Sequence, residues 1–232
     1  APRRILDGTF GRGGHSRKLL ELFPQAHFVA LDRDRDAVEH AKIEFAPEIE
    51  AGRFEIHQCN FSEVESLGLE SFDFILLDLG VSSPQLDQGP RGFSIYNDGP
   101  LDMRMDQRQG LSASEIVNTW PLEDLEEIFR KYGEIFNSSR VVRAISEARE
   151  LQPIQTTSEL ARLIEKNLGW RRRGHHPATE YFMALRIAVN DEFGNLQRGL
   201  ETLVRHLRPK GRLVVITFHS LEDRIAKYAL RA

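Results

Sequence analysis

The stretch Ile5-Leu6-Asp7-Gly8-Thr9-Phe10-Gly11-Arg12-Gly13-Gly14-His15-Ser16 constrains the fold of this chain more than any other. A short apolar run ends in an acid. Gly11, Gly13 and Gly14 follow at once, and Leu19, Leu20, Leu22 and Phe23 then form an amphipathic stretch. The pattern predicts strand, tight turn and helix. Glycine tolerates positive φ and lets backbone come close to a ligand. The first N–H groups of the helix then point at whatever is bound there. Alone, such a turn also serves packing in many α/β proteins, so its meaning depends on the rest of the chain.

The rest repeats the theme. Residues 27–32, 54–57 and 72–78 read as further strands, and Asp32 and Asp78 end two of them as Asp7 ends the first. Between them, residues 34–45 place Ala37, Val38, Ala41 and Phe45 on one helix face, which Pro47 ends. Continuous apolar runs alternating with helices predict a mostly parallel sheet covered on both faces. Residues 80–105 then hold Pro84, Gly89, Pro90, Gly92, Gly99 and Pro100, a long loop of the kind that is usually functional. From 101 to 176 only helices are predicted. Ser112 with Glu115 and Thr156 with Glu159 have capping-box spacing, and residues 122–132 and 138–149 are also helical. Pro177 fits the first turn of a helical stretch that runs to residue 207, with a break near 191–195. Pro209-Lys210-Gly211 is a turn, residues 212–218 are a fifth strand, and Ser220 with Asp223 opens a last helix. The expected organisation is a discontinuous α/β domain, 1–100 and 177–232, interrupted by a helical insert at 101–176.

Size and charge exclude several classes. The chain has 232 residues, of which 41% are hydrophobic, enough for a real core. It shows no apolar run of about 18 residues and no secretory pattern. Its single cysteine, Cys59, cannot form an intrachain disulfide, which favours a reducing, cytoplasmic setting. A net charge of −4 argues against coating nucleic acid wholesale and leaves room for a local basic patch. The densest basic run is Arg171-Arg172-Arg173, before Gly174-His175-His176. It would be the most economical contact to RNA phosphates, or else a solvated loop between helices. His15, His175, His176 and His219 lack metal-ligand spacing, so hydrogen bonding is their expected role and no metal is expected. The first strand starts close to Ala1 and a strand-helix pair lies close to Ala232, so trimming at both ends is expected.

Ligands of an open parallel sheet bind beyond the carboxyl ends of its strands. An acid about 20 residues past a glycine turn, as Asp32 is past Gly13, accepts hydrogen bonds from ribose hydroxyls; the alternative is that Asp32 caps the next helix. Phe61, just past the third strand, offers a ring to an adenine or is an ordinary core residue. The turn is no P-loop, because no Gly-Lys-Ser/Thr follows, and it lacks the full G-x-G-x-x-G dinucleotide fingerprint. The ligand is therefore expected to be a nucleoside without phosphates. After Asp78, the run Leu79-Gly80-Val81-Ser82-Ser83-Pro84-Gln85 sets hydroxyls, an amide and a rigid proline turn in a small space. Acceptors that hold both hydrogens of an exocyclic amine free its delocalised lone pair for attack on a positioned methyl donor. A loop fixed by Pro84 without chemistry is the plainer reading. A nicotinamide oxidoreductase and a non-catalytic RNA-binding assembly factor stand as competitors. Cofactor-dependent thermal shift separates the first, and labelled methyl transfer into RNA separates the second.

Nine stretches together carry a resemblance. They are Asp7-Gly8-Thr9-Phe10-Gly11-Arg12-Gly13-Gly14-His15, Leu31-Asp32-Arg33-Asp34, the run from Leu76 to Asp87, Arg91-Gly92-Phe93-Ser94, and the run from Asp98 to Asp106. The others are Tyr132-Gly133-Glu134, His176-Pro177-Ala178-Thr179, Arg186-Ile187-Ala188-Val189-Asn190, and the run from Phe218 to Arg224. In these the chain resembles the S-adenosylmethionine-dependent cytosine-N4 methyltransferases of bacterial small-subunit ribosomal RNA and their organellar relatives. The resemblance implies a Rossmann-like methyltransferase sheet with an inserted all-helical, RNA-recognising domain. It implies that Gly13, Gly14, His15, Asp32, Phe61, Asp78 and Gln85 contact S-adenosylmethionine. Asp78, Ser82, Ser83 and Pro84 would serve catalysis at a cytosine in the decoding region, and Arg91, Arg104, Arg171, Arg172 and Arg173 would contact RNA. The partner would be small-subunit RNA or the assembling subunit, with no membrane and with a homodimer left open. The family also carries a segment before the first strand and more chain after the last helix seen here.

Overall fold

A computed structural model describes residues 1–169 and 176–231. Arg171, Arg172 and Arg173 lie outside them. In chain order the elements are β1 (Arg4–Asp7), α1 (Gly14–Leu22), β2 (His27–Asp32), α2 (Arg35–Glu44), α3 (Ala46–Glu50), β3 (Phe54–Gln58), a 3-10 turn (Phe61–Leu67) and β4 (Phe72–Asp78). Then come α4 (Ser83–Asp87), a short 3-10 turn (Gly89–Arg91), α5 (Ala113–Thr119), α6 (Leu122–Gly133), α7 (Ser139–Leu151), α8 (Thr157–Leu168) and α9 (Thr179–Asn190). The last are α10 (Glu192–Arg205), β5 (Leu207–Ile216) and α11 (Ser220–Ala229). The chain divides into two compact units, Ala1–Val81 with Glu192–Ala232, and Ser82–Asp191. Both boundaries differ from those expected at 100/101 and 176/177. The glycine- and proline-rich loop and α9 make their contacts with the helical unit, which composition alone does not reveal.

The first unit is a five-stranded sheet of order β3-β2-β1-β4-β5 in which all pairs are parallel. The order reverses between β1 and β4, the switch point at which such sheets bind ligands. The three inner strands β2, β1 and β4 carry continuous apolar runs because both faces are covered. Leu6, Val29, Leu31, Ile75 and Leu77 pack with Leu196, Leu200 and Leu203 of α10. Ile5, Phe28, Ala30 and Phe54 pack on the other side with Leu20, Ala37, Ala41, Phe10 and Phe45. Gly199 lets α10 approach closely: a Cβ there would collide with the Phe61 ring. β5 begins earlier than predicted and ends at Ile216 rather than at residue 218. The anticipated turn at 209–211 is an irregularity within the strand, where the pairing register with β4 shifts and Lys210 has φ 68°.

In the second unit the described residues form helices and no strand, with one isolated antiparallel bridge, Pro100–Thr156. Thr156 and Glu159 form the predicted capping box on α8, and the Ser112 hydroxyl accepts from Glu115 N–H at the start of α5. α9 starts at Thr179, so Pro177 precedes its first turn instead of occupying it. The helical break is at Asp191, whose φ of 44° ends α9. α9 packs against α6 and α5, and α7 against α8. The loop from 89 to 105 folds on itself: a Cβ at Gly99 would strike the Gly89 carbonyl, and one at Gly92 the Pro100 carbonyl. Asn190, 1% exposed, anchors it by accepting from Met105 N–H (2.8 Å) and donating to the Met103 carbonyl (2.8 Å). Asn190→Ala leaves both buried backbone groups without that partner. We expect a loss of about 1–3 kcal/mol, read as a lower urea midpoint with unchanged slope. Among the described residues no helix is long and apolar enough to cross a membrane.

Candidate active site

Parallel strands bring their carboxyl ends to one edge, so Asp7, Asp32 and Asp78 gather there because each is the last residue of its strand. Asp7 sits deepest, 1% exposed. Its carboxylate accepts from the Ser16 hydroxyl (2.7 Å) and Thr9 N–H (3.2 Å). Burial pushes its carboxyl above the usual range, and these two bonds only partly offset that. The Thr9 hydroxyl in turn accepts from Asp78 N–H (2.6 Å). Ser16 on α1, Asp7 on β1, Thr9 in the turn and Asp78 on β4 thus form one chain of hydrogen bonds. Sequence reading missed Thr9 and Ser16, although both lie inside the motif it singled out. A hydroxyl directed at a strand-end acid across the turn was the available signal.

The glycine turn follows from the same arrangement. Gly13 is the N-cap of α1 with φ 76°, and a Cβ there would stand 2.6 Å from the Phe10 ring and 2.7 Å from that of Phe45. Gly14 differs: a Cβ there would meet nothing within 4 Å. Gly13 is required by the protein's own packing, whereas Gly14 leaves open space at the helix N-terminus. That opening is what close approach of a ligand requires.

Asp32 holds the turn. Its two oxygens accept from Gly11 N–H (2.7 Å) and Asp34 N–H (2.8 Å). The cap of α2 is Asp34, whose side chain accepts from Asp36 N–H (3.0 Å), so Asp32 is not the helix cap that the simpler reading of the sequence offered. Burial raises Asp32 to about 6 despite the opposing backbone bonds.

His15 and Asp78 complete the arrangement, with His15 Nε2 3.2 Å from Asp78 Oδ2. The other oxygen, Asp78 Oδ1, is buried and lacks a hydrogen-bond partner among the described residues. An unpaired buried carboxylate oxygen is costly unless a donor arrives. Phe61 is 9% exposed and belongs to the core, its ring beside Gly199. Its structural role is thus the packing alternative weighed from sequence.

The remaining expected site residues lie in the second unit. Ser82 precedes α4, Ser83 and Pro84 open it, and Gln85 is buried with Oε1 accepting from Ser82 N–H (2.9 Å). Arg91 is 6% exposed, and its guanidinium donates to the carbonyls of Arg104 (3.2 Å) and Met105 (3.3 Å). The expected RNA contact by Arg91 therefore gives way to a brace inside the loop. Arg104 makes a two-pronged pair with Asp102 (2.9 and 2.7 Å) and donates to the Gln109 carbonyl (2.7 Å). Although burial opposes it, Arg104 holds Asp102 below the ordinary carboxylate range. Its charge is thus already matched within the loop.

The strand-end edge offers acceptors to a ligand's hydroxyl and ammonium groups, and helix N–H groups to a carboxylate. These are the groups of S-adenosylmethionine, and the unpaired Asp78 oxygen together with the open side of Gly14 fits them. An α/β sheet with these groups at its strand ends suits a methyltransferase that uses that cofactor, and the chain is one. It belongs to the MraW methylase family, whose model matches residues 2–232. It is 52% identical over 225 residues to a protein of Bdellovibrio bacteriovorus named ribosomal RNA small subunit methyltransferase H, spanning 97% of this chain and 69% of that one. Two solved structures to which it is similar are far more distant. An O-methyltransferase from a Brevibacillus brevis trans-AT PKS multienzyme, in complex with S-adenosyl-L-homocysteine, is 12% identical. The match covers 91% of this chain and 81% of that one, with a TM-score of 0.29. PKMT2 from Rickettsia typhi in complex with AdoHcy is 16% identical, covering 98% and 38%, with a TM-score of 0.32.

Proposed function

We propose that the chain transfers the methyl group of S-adenosylmethionine to N4 of a cytosine in the decoding region of small-subunit ribosomal RNA. The observation that carries this reading is the unpaired Asp78 oxygen beside His15 at the end of β4, directly before the Ser82-Ser83-Pro84-Gln85 run. The name of the 52% identical relative supports the RNA class. The cofactor supplies an electrophilic methyl when bound. Gly13 and Gly14 admit it to the helix N-terminus, Asp32 accepts from its ribose, and His15 and Asp78 hold its methionine end. Gln85 is a further cofactor contact, and the adenine would lie beside Phe61.

The substrate amine needs help because its lone pair is delocalised into the ring. Asp78 and the oxygen atoms of Ser82, Ser83 and Pro84 would accept hydrogen bonds from it and orient it, so the gain comes mainly from positioning. The cytosine is extruded from its surroundings to reach them. The helical unit, with Arg104 and Arg171 to Arg173, serves RNA recognition, and the reaction runs in the cytoplasm on RNA or the assembling subunit. Tritium transfer from labelled S-adenosylmethionine into small-subunit RNA tests the reading. Digestion of the product must yield N4-methylcytidine. Label on another base, or on a protein, overturns it.

The cofactor step has a pH signature. A carboxyl raised by burial stabilises the fold while protonated, below its ordinary 3.8, and loses that contribution as pH rises through about 6. Ribose hydroxyls, in contrast, donate best to the ionised form. We therefore expect affinity for S-adenosylmethionine to fall roughly tenfold per pH unit below about 6 and to level off above it. Isothermal titration on both sides of that pH checks this, and Asp32→Asn should weaken binding and flatten the profile.

A further inference from the structure

The loop after β5 carries an aromatic ring that neither the fold nor the cofactor site uses. Phe218 is 70% exposed. Single exposed apolar residues are ordinary, but this one is mounted on a brace formed by a buried side chain. Glu222 on α11 is 2% exposed, and its Oε2 accepts from Phe218 N–H at 2.9 Å. Its other oxygen lies 3.2 Å from His219 Nε2, and the His219 ring is 5.6 Å from that of Phe193 on α10. The main chain at 218–219 is held firmly while the side chain of Phe218 remains in water.

Its place is equally specific. Asp78 and Ile216 are register partners, and Leu79 N–H donates to the Ile216 carbonyl (3.1 Å). The two chains therefore leave the sheet together at the edge where Asp7, Asp32 and Asp78 lie. Gly80, with φ 105°, passes beside the ring: a Cβ there would be 3.6 Å from Phe218 Cδ2 and would meet nothing else within 4 Å.

We propose that Phe218 is a stacking platform for the base that receives the methyl group, a substrate-binding contact two residues beyond the partner of Asp78. This rests on the reading above, in which Asp78 faces the substrate amine. A base is flat and apolar on its faces and polar on its edge. A ring mounted at the strand edge that also ends in a carboxylate would receive the face while the carboxylate receives the exocyclic amine. Stacking on an aromatic tolerates any base, so Phe218 supplies grip and the polar groups supply the choice.

In the full-length protein, Phe218→Ala and Phe218→Leu should lower kcat/KM for RNA by about 5- to 150-fold through KM for RNA. Cofactor affinity and melting temperature should stay at the parental values, and Phe218→Trp should retain activity. Leucine keeps the bulk and loses the π face, so parental activity in both Ala and Leu variants overturns the proposal. A fall in cofactor affinity on Phe218→Ala overturns it too, since the ring would then serve the cofactor. Fluorescence gives a reading independent of turnover. With S-adenosylhomocysteine present, a short cytidine-containing RNA should quench the Phe218→Trp protein beyond the background of its two native tryptophans. No added quenching overturns the platform. If the parental protein transfers no methyl to ribosomal RNA, the proposed function fails, while the quenching still decides what Phe218 does.

Discussion

Asp78→Asn should cut methyl transfer by about 100-fold or more while the chain stays folded, because misplacing a reacting group by about an ångström has that effect. The substitution preserves shape and removes charge. It puts an NH2 group where one of two acceptor oxygens stands, opposite a cofactor ammonium and a substrate amine that are both donors. One oxygen is 3.2 Å from His15 Nε2, and the other is buried without a partner among the described residues. The main-chain tie of Asp78 to Thr9 is kept, since it uses the backbone N–H. Initial rates of tritium transfer and thermal unfolding measured side by side check the claim. A parental rate would remove Asp78 from the site, and a large fall in melting temperature would make its role structural.

The sheet was legible because three of its strands are apolar runs, as burial on both faces imposes, and stop on acids. Parallel pairing and the convergence of Asp7, Asp32 and Asp78 follow from that pattern together with the rules of crossover connection, whereas the strand order does not. What stayed hidden depended on the third dimension. No periodicity announces that Asn190, at the end of α9, ties down the 103–105 backbone from far along the chain. Nor does a motif show that Arg91 is turned inward onto carbonyls, because an arginine in a glycine-rich loop reads equally well as a phosphate contact. The early start of β5 was missed for a local reason: Pro209, Lys210 and Gly211 have turn composition, yet the strand absorbs them through a register shift.

The glycine pair shows how a motif that reads as one unit divides in space, and it gives the sharpest test of the site. Gly13→Ala should destabilise the protein by about 2–5 kcal/mol. Left-handed backbone costs a non-glycine residue about 1–2 kcal/mol, and a Cβ within 2.7 Å of both the Phe10 and Phe45 rings adds about 1–3 kcal/mol of overpacking. Both rings belong to the buried cluster on the α1–α2 face of the sheet, so neither can swing aside freely. Gly14→Ala should do the reverse. Among the described residues its Cβ meets nothing within 4 Å outside its chain neighbours and its own helix, and alanine at the first position of α1 favours the helix, so stability should hold or rise slightly. That methyl would instead occupy the space through which a ligand approaches the helix N-terminus, and cofactor affinity should drop by about tenfold or more. Urea denaturation and isothermal titration on both variants separate the two effects. Equal cofactor affinity in Gly14→Ala and parental protein would mean that the ligand does not lie against this turn. A stable Gly13→Ala would mean that Phe10 and Phe45 repack, and the αL cap is less constrained than its two rings imply.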